Sequence, residues 1–150
     1  MFVLSEEYIR GLVEGEGCFT FEQRIKRGEK VKIPVFAIGM YERDEELLRL
    51  VRISMGLPRI DSNTIYVNGP YFHNGCKDNG RIAKLIVRDY LSLKEVVVPF
   101  FYGKLRGYKG IQFREWIEKI GDKSVPYPYR QIFDLHKEGF WGSPNPFVEK

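Results

Sequence analysis

A chain of 150 residues that is 43% hydrophobic and 15% aromatic carries enough apolar side-chain mass for one compact domain with a packed core. A net charge of +4 and a pI near 9.0 favour an anionic partner. No apolar run approaches the ~20 residues of a membrane span, and the N-terminus lacks a secretory leader pattern, so an intracellular protein without a membrane partner is expected. Cys18 and Cys76 lack C-x-x-C spacing, which speaks against a disulfide framework or a zinc site.

Ser5 followed by Glu6 and Glu7 predicts an N-cap with acids in the first turn. The helix it opens runs through Ile9, Arg10, Gly11, Leu12, Val13, Glu14, Gly15, Glu16 and Gly17. Tyr8, Ile9, Leu12 and Val13, with Gly11 and Gly15, fill most of its circumference, which calls for burial on two sides. Gly11 and Gly15, four apart on one face, would admit a second helix at close range. The end of this helix is chemically odd. Glu14 and Glu16 sit where unpaired carbonyls already concentrate negative charge, so a cation is expected nearby, a divalent metal being the natural candidate.

From Cys18 to Lys26 the period becomes two, with Phe19, Phe21 and Ile25 on one side and Thr20, Glu22, Arg24 and Lys26 on the other. A turn at Arg27-Gly28-Glu29-Lys30 and a return strand from Val31 to Met40 complete a hairpin, with Pro34 marking an edge or bulge. Asp44 is expected to cap a helix with Leu47, Leu48, Leu50 and Val51 on its core side, ending near Gly56 and Pro58. Strands at Thr64–Val67 and Arg81–Arg88 flank a loop rich in Gly and Asn that carries Tyr71, His73, Asn74 and Lys77. Ser92 and Glu95 read as a capping box for a helix that Pro99 kinks or stops. Gly103, Gly107 and Gly110 punctuate a loop. Phe113, Trp116, Ile117 and Ile120 then recur at helical spacing before Gly121, and a last helix is expected from Tyr129 to Lys137. Trp116 and Trp141 read as core aromatics, and the isolated His73 and His136 as structural or exposed. The order predicts an α+β domain with an antiparallel sheet covered on one face.

Three blocks carry a family resemblance: Ile9–Gly17 with the following Cys18-Phe19-Thr20-Phe21, Leu47-Leu48 through Met55-Gly56-Leu57-Pro58-Arg59-Ile60, and Val98-Pro99-Phe100-Phe101 through Phe113-Arg114-Glu115-Trp116. In this order they resemble a LAGLIDADG homing endonuclease with a single motif. The resemblance implies an αββαββα fold whose saddle-shaped antiparallel sheet sits over DNA, with extra C-terminal helices. It places the core at about residues 5–120 and a C-terminal helix and tail at 121–150 of one domain. A single motif implies a homodimer through Tyr8, Gly11, Leu12 and Gly15.

The resemblance further implies a site-specific endonuclease, intron-encoded and needing no small-molecule cofactor, that makes Mg²⁺- or Mn²⁺-dependent double-strand breaks at a long pseudo-palindromic site. Its host compartment would be a prokaryotic or archaeal cytoplasm or an organelle. The alternative on the same scaffold is a non-cleaving maturase or DNA-binding regulator. The metal-binding acid falls on Glu16, with the Gly15 carbonyl as a further ligand, and Glu14 is a structural acid. A catalytic lysine falls on Lys109, with Lys104 as the fallback. Met40 stands where many relatives carry a water-ordering glutamine. Thr20, Glu22, Arg24 and Lys26 mix donors and acceptors in a way that suits base edges, whereas Lys30, Lys32, Lys77, Arg81 and Lys84 suit phosphates. Tyr71 and Asn74 are candidates for outer base pairs.

Overall fold

The computed structural model describes residues 3–58, 65–68, 72–73, 76–77 and 80–142. Helix α1 (Glu6–Glu16) starts at Ser5, whose hydroxyl accepts the Tyr8 N–H, and ends at Gly17, whose N–H donates to the Val13 carbonyl. Strands β1 (Gly17–Lys26) and β2 (Glu29–Tyr41) follow, then a 3-10 turn and α2 (Glu45–Met55), β3 (Ile65–Asn68), β4 (Phe72–His73), β5 (Cys76–Lys77) and β6 (Ile82–Val87). The last helical stretch of the core has three pieces: α3 (Tyr90–Ser92), a π-helical run Leu93–Val97, and α4 (Val98–Phe101). Helices α5 (Tyr108–Ile120) and α6 (Tyr127–Lys137) close the described chain. Four strands form one antiparallel sheet in the order β1-β2-β6-β3. No helix among the described residues is long and apolar enough to cross a membrane.

The register divides the sheet into two faces. Phe19, Phe36 and Val87 are cross-strand neighbours on the helical side, where they meet Ile9 and Val13 of α1, Leu48 and Val51 of α2, Val97 and Phe101, and Phe113 and Trp116 of α5. Phe19 is the hub, its ring 5.0 to 5.7 Å from those of Phe36, Phe101, Phe113 and Trp116. Alternation fails at the hairpin tip, where Ile25, expected to point inward, is 75% exposed because β1 and β2 extend past the helices that cover their other ends, and in mid-β2, where Ile33 and Val35 lie on the open side yet are each 7% exposed.

Pro34 lies in β2, an inner strand, yet at an edge of the expected kind. Lys32 donates its backbone N–H to the Ser124 carbonyl at 3.0 Å, so that N–H points away from β1. Two residues on, the Pro34 nitrogen points the same way, where β6 has not begun, since β2–β6 pairing starts at Phe36↔Val87. The missing donor therefore costs no ladder bond.

Several local expectations are corrected. Asp44 occupies the N-cap position of α2 without a side-chain cap bond, because the preceding 3-10 turn already supplies a carbonyl at that end. Leu47 and Leu50 are half-buried, and Arg52 and Met55 join Leu48 and Val51 inside. The cap assigned to Ser92 belongs to Asp89, whose carboxylate accepts the Ser92 N–H at 2.9 Å, and Ser92 is buried in the helix. Pro99 does not stop this helix: the π turn just before it widens the ladder where a proline ring would meet the carbonyl four residues back. The loop between β3 and β6 contains a two-residue hairpin, Phe72↔Lys77 and His73↔Cys76. Gly110 belongs to the first turn of α5, where a Cβ would lie 2.7 Å from the Leu105 carbonyl oxygen. Gly121 ends α5 in an ordinary right-handed conformation and is small because the Phe133 ring covers it.

Helix α6 is anchored by a partly buried polar contact. The Tyr102 hydroxyl pairs with His136 Nδ1, and the Trp141 ring lies 5.4 Å from that of Tyr102. Burial raises the Tyr102 pKa and lowers that of His136, with Glu118 acting in the opposite sense on the histidine. The phenol therefore stays a donor and Nδ1 an acceptor. A histidine with a depressed folded-state pKa binds fewer protons folded than unfolded. Its contribution is complete above the ordinary value of 6.5 and is lost as the pH falls from there through the lower folded value. Acidification from pH 7.5 to 5 is thus expected to lower the urea midpoint of the wild type more than that of His136→Gln, read by tryptophan fluorescence; equal shifts would refute the linkage.

Candidate active site and nucleic-acid interface

The two acids at the end of α1 have different surroundings. Glu14 reaches the start of α5, where its carboxylate accepts the Arg106 N–H at 2.6 Å and the Gly107 N–H at 3.1 Å. Gly107 is the N-cap of α5, so the negative charge of Glu14 meets the positive end of another helix dipole. This is the structural role expected of it. Glu16 is exposed, and among the described residues no ion pair or side-chain hydrogen bond engages its carboxylate.

The cation expected at the helix end is present as a side chain. Helix α1 has no basic residue in its last turn, but the Lys109 ammonium donates to the Gly17 carbonyl at 2.6 Å. At the second position of α5, Lys109 is opposed by its own helix dipole, an unfavourable place offset by its contact with the carbonyl end of α1. Glu14 running one way and Lys109 the other tie the two helix ends together. Lys109 thereby stands beside the residue that follows Glu16. Lys104, the fallback, instead lines a shallow cleft with Glu7, Arg10, Gly11, Glu14 and Arg106, farther back along α1.

The outer face of α1 is open in this chain. Ile9 and Val13 are buried, whereas Tyr8 is 49% exposed, and a Cβ added at Gly11 or Gly15 would meet no atom within 4 Å. Leu12 is half-buried against the core. Tyr8, Gly11 and Gly15 therefore share an uncovered strip.

On the face of the sheet opposite the helices, Thr20, Glu22, Arg24 and Lys26 alternate as expected, and Lys84, paired with Gly39 and Tyr66, joins them. Lys30 and Lys32 have the other parity and leave the strand on the helical side; Lys32 lies close enough to Asp122 to help lower its pKa, after hydrogen bonds from Ser124. Arg81 is exposed just before β6, its carbonyl accepting the Glu42 N–H at 2.8 Å. Lys77 lies in β5, while Tyr71 and Asn74 fall outside the described residues. Met40 pairs with Ala83 and packs on the core, so it does not face the open side and orders no water there. Sequence reasoning missed Arg88, whose guanidinium lies 3.4 Å from Glu22; the alternation Lys84, Ile86, Arg88 was the signal that would have found it.

Among the described residues no group of three or more His, Cys, Asp or Glu is gathered. Glu16 and the Gly15 carbonyl, at a helix end whose last carbonyls lack intrahelical partners, are hard oxygen donors of the kind Mg²⁺ accepts alongside water and phosphate.

No protein-family profile matches the chain. No curated protein matches it. Solved structures do. The chain aligns with the homing endonuclease I-TnaI over 91% of its own length and 88% of the other, at 23% identity and a TM-score of 0.62. The LAGLIDADG meganuclease I-CpaMI, bound to uncleaved DNA, aligns with 92% of this chain at 19% identity and a TM-score of 0.62, but the chain spans only 42% of I-CpaMI. The group I intron-encoded homing endonuclease I-CeuI, complexed with DNA, aligns with 93% of this chain at 15% identity and a TM-score of 0.57, and 59% of its own length is covered. The helix-to-strand switch at Gly17, the four-stranded antiparallel sheet and these alignments together identify the LAGLIDADG homing-endonuclease fold.

Proposed function

We propose that the protein is a site-specific endonuclease that binds duplex DNA on the open face of its sheet and cuts both strands as a homodimer. The observation that carries this reading is the uncommitted Glu16 carboxylate, with Lys109 anchored on the carbonyl of the next residue, Gly17, at the end of a helix whose outer strip is uncovered. A two-fold pairing through Tyr8, Gly11 and Gly15 brings two α1 helices to ~8–10 Å and so gathers two Glu16 side chains. The B-DNA minor groove is ~6 Å wide, which lets such a pair address both strands.

Glu16 and the Gly15 carbonyl would hold a divalent cation, Mg²⁺ or Mn²⁺, which when bound supplies positive charge at the scissile phosphate and acidity for an attacking water. Lys109 adds a fixed positive charge and a proton donor at the same end of α1. Arg24, Lys26 and Lys84 face the duplex, and Thr20 offers a hydroxyl to a base edge. The DNA-bound state of I-CpaMI and I-CeuI supports the choice of partner.

The test is incubation with Mg²⁺ and a duplex carrying the intron-free form of the host gene. Cleavage of both strands is expected, and none in EDTA. Tight binding without cutting would overturn the nuclease reading in favour of a maturase or regulator on this scaffold.

A further inference from the structure

Glu22 stands on the open face of the sheet between two guanidinium groups. Its Oε2 atom is 3.0 Å from the Arg24 guanidinium and 3.4 Å from that of Arg88. Arg24 is two residues along the same strand, but Arg88 follows β6, on the far side of β2. The Glu22–Arg88 contact therefore spans the middle strand on the side where Ile33 and Val35 sit, each only 7% exposed. Arg88 is held from the other side as well, because the Tyr129 hydroxyl of α6 donates to its carbonyl at 2.6 Å.

Such a carboxylate is poorly placed to read a base. Both guanidinium groups meet Oε2, so only Oε1 is left to accept from cytosine N4, and the charge of the carboxylate opposes the phosphates on either side. The arginines are in the reverse position. Each guanidinium has five N–H donors in a fixed fork, and a contact to one carboxylate oxygen leaves most of them for a guanine edge or a phosphate. We propose that Glu22 is a positioning residue, which aims Arg24 and Arg88 at the duplex as one unit, and that Arg88 is a specificity-determining contact. This rests on the reading of the open face as a DNA surface.

The test uses the full chain, selection from a randomised duplex library, and binding to one fixed duplex of arbitrary sequence. Glu22→Gln is expected to bind the arbitrary duplex about two- to fivefold more tightly, since one exposed negative charge is removed. It should lose the wild-type sequence preference at the positions set by Arg24 and Arg88. Glu22→Asp keeps the charge but is one methylene too short to reach both arginines, so it should lose the preference with no gain in affinity. Arg88→Gln should erase preference at base pairs adjoining those affected by Arg24→Gln. If wild type and both Glu22 variants select the same sequence, or if the variants lose affinity equally for every duplex, the positioning role is overturned while DNA binding stands. If the wild type itself binds no duplex in a salt-dependent manner, the DNA reading falls and this assignment with it.

Discussion

Glu16→Gln is expected to abolish cleavage, by a factor of at least about 10³, while duplex binding stays within a few-fold of wild type. The reason lies in the unequal surroundings of the two acids. Glu14 is consumed by the Arg106 and Gly107 amides, and only Glu16 is left to engage a cation. The amide keeps the size of the side chain and removes its charge, so the fold has nothing to lose. Removing Glu14 should do the opposite: Glu14→Gln weakens the cap of α5 and with it the placement of Lys109, which shows as a lower melting temperature together with slower cutting. Cleavage in plasmid assays by Glu16→Gln at wild-type rates would remove Glu16 from the mechanism.

Gly11→Leu is expected to leave the folded chain intact and to destroy its self-association. Inside one chain the new Cβ has no neighbour within 4 Å and the rest of the side chain extends into an open cleft, and leucine is a better helix former than glycine by about 0.5–1 kcal/mol. Between two α1 helices at contact distance the same side chain overpacks the seam at a cost of about 1–3 kcal/mol per site, felt twice in a symmetric dimer. Sedimentation velocity should then show a monomer at concentrations where the wild type is dimeric. Far-UV circular dichroism should be unchanged, and the dependence of melting temperature on protein concentration should disappear. A variant that sediments as the wild type does would place the contact face elsewhere.

The strongly periodic parts of the chain were legible. The change from helical to alternating pattern at Gly17 set the junction of α1 and β1 to within a residue, and Phe113, Trp116, Ile117 and Ile120 marked the buried side of α5. Caps were harder, because they depend on where the chain comes from. Ser92 resembles a cap until the helix is found to begin two residues earlier at Asp89's control. The π turn before Pro99 left no trace in residue type.

At the site, sequence chemistry raised the right question and gave an incomplete answer. Acids at a carbonyl end do call for positive charge, and a metal ion was the candidate. Part of that charge is the amide end of α5 and part is Lys109, each more than ninety positions away along the chain. Contacts of that separation are invisible to local pattern, and only the family resemblance pointed to Lys109. The Glu22–Arg88 contact was missed for the same reason, since it requires knowing that β6 lies beside β2.

The reciprocal tie between the end of α1 and the start of α5 separates two kinds of change this protein can undergo. The acid and the lysine ride on one braced joint, whereas the hairpin tip, with Arg24 and Lys26, projects past the helices and bears on no part of that joint. If the open face grips DNA and the joint does the cutting, as proposed, mutational drift at the tip would retune which sequences are gripped without detuning the scissors, a division of labour that makes new targets reachable in small steps.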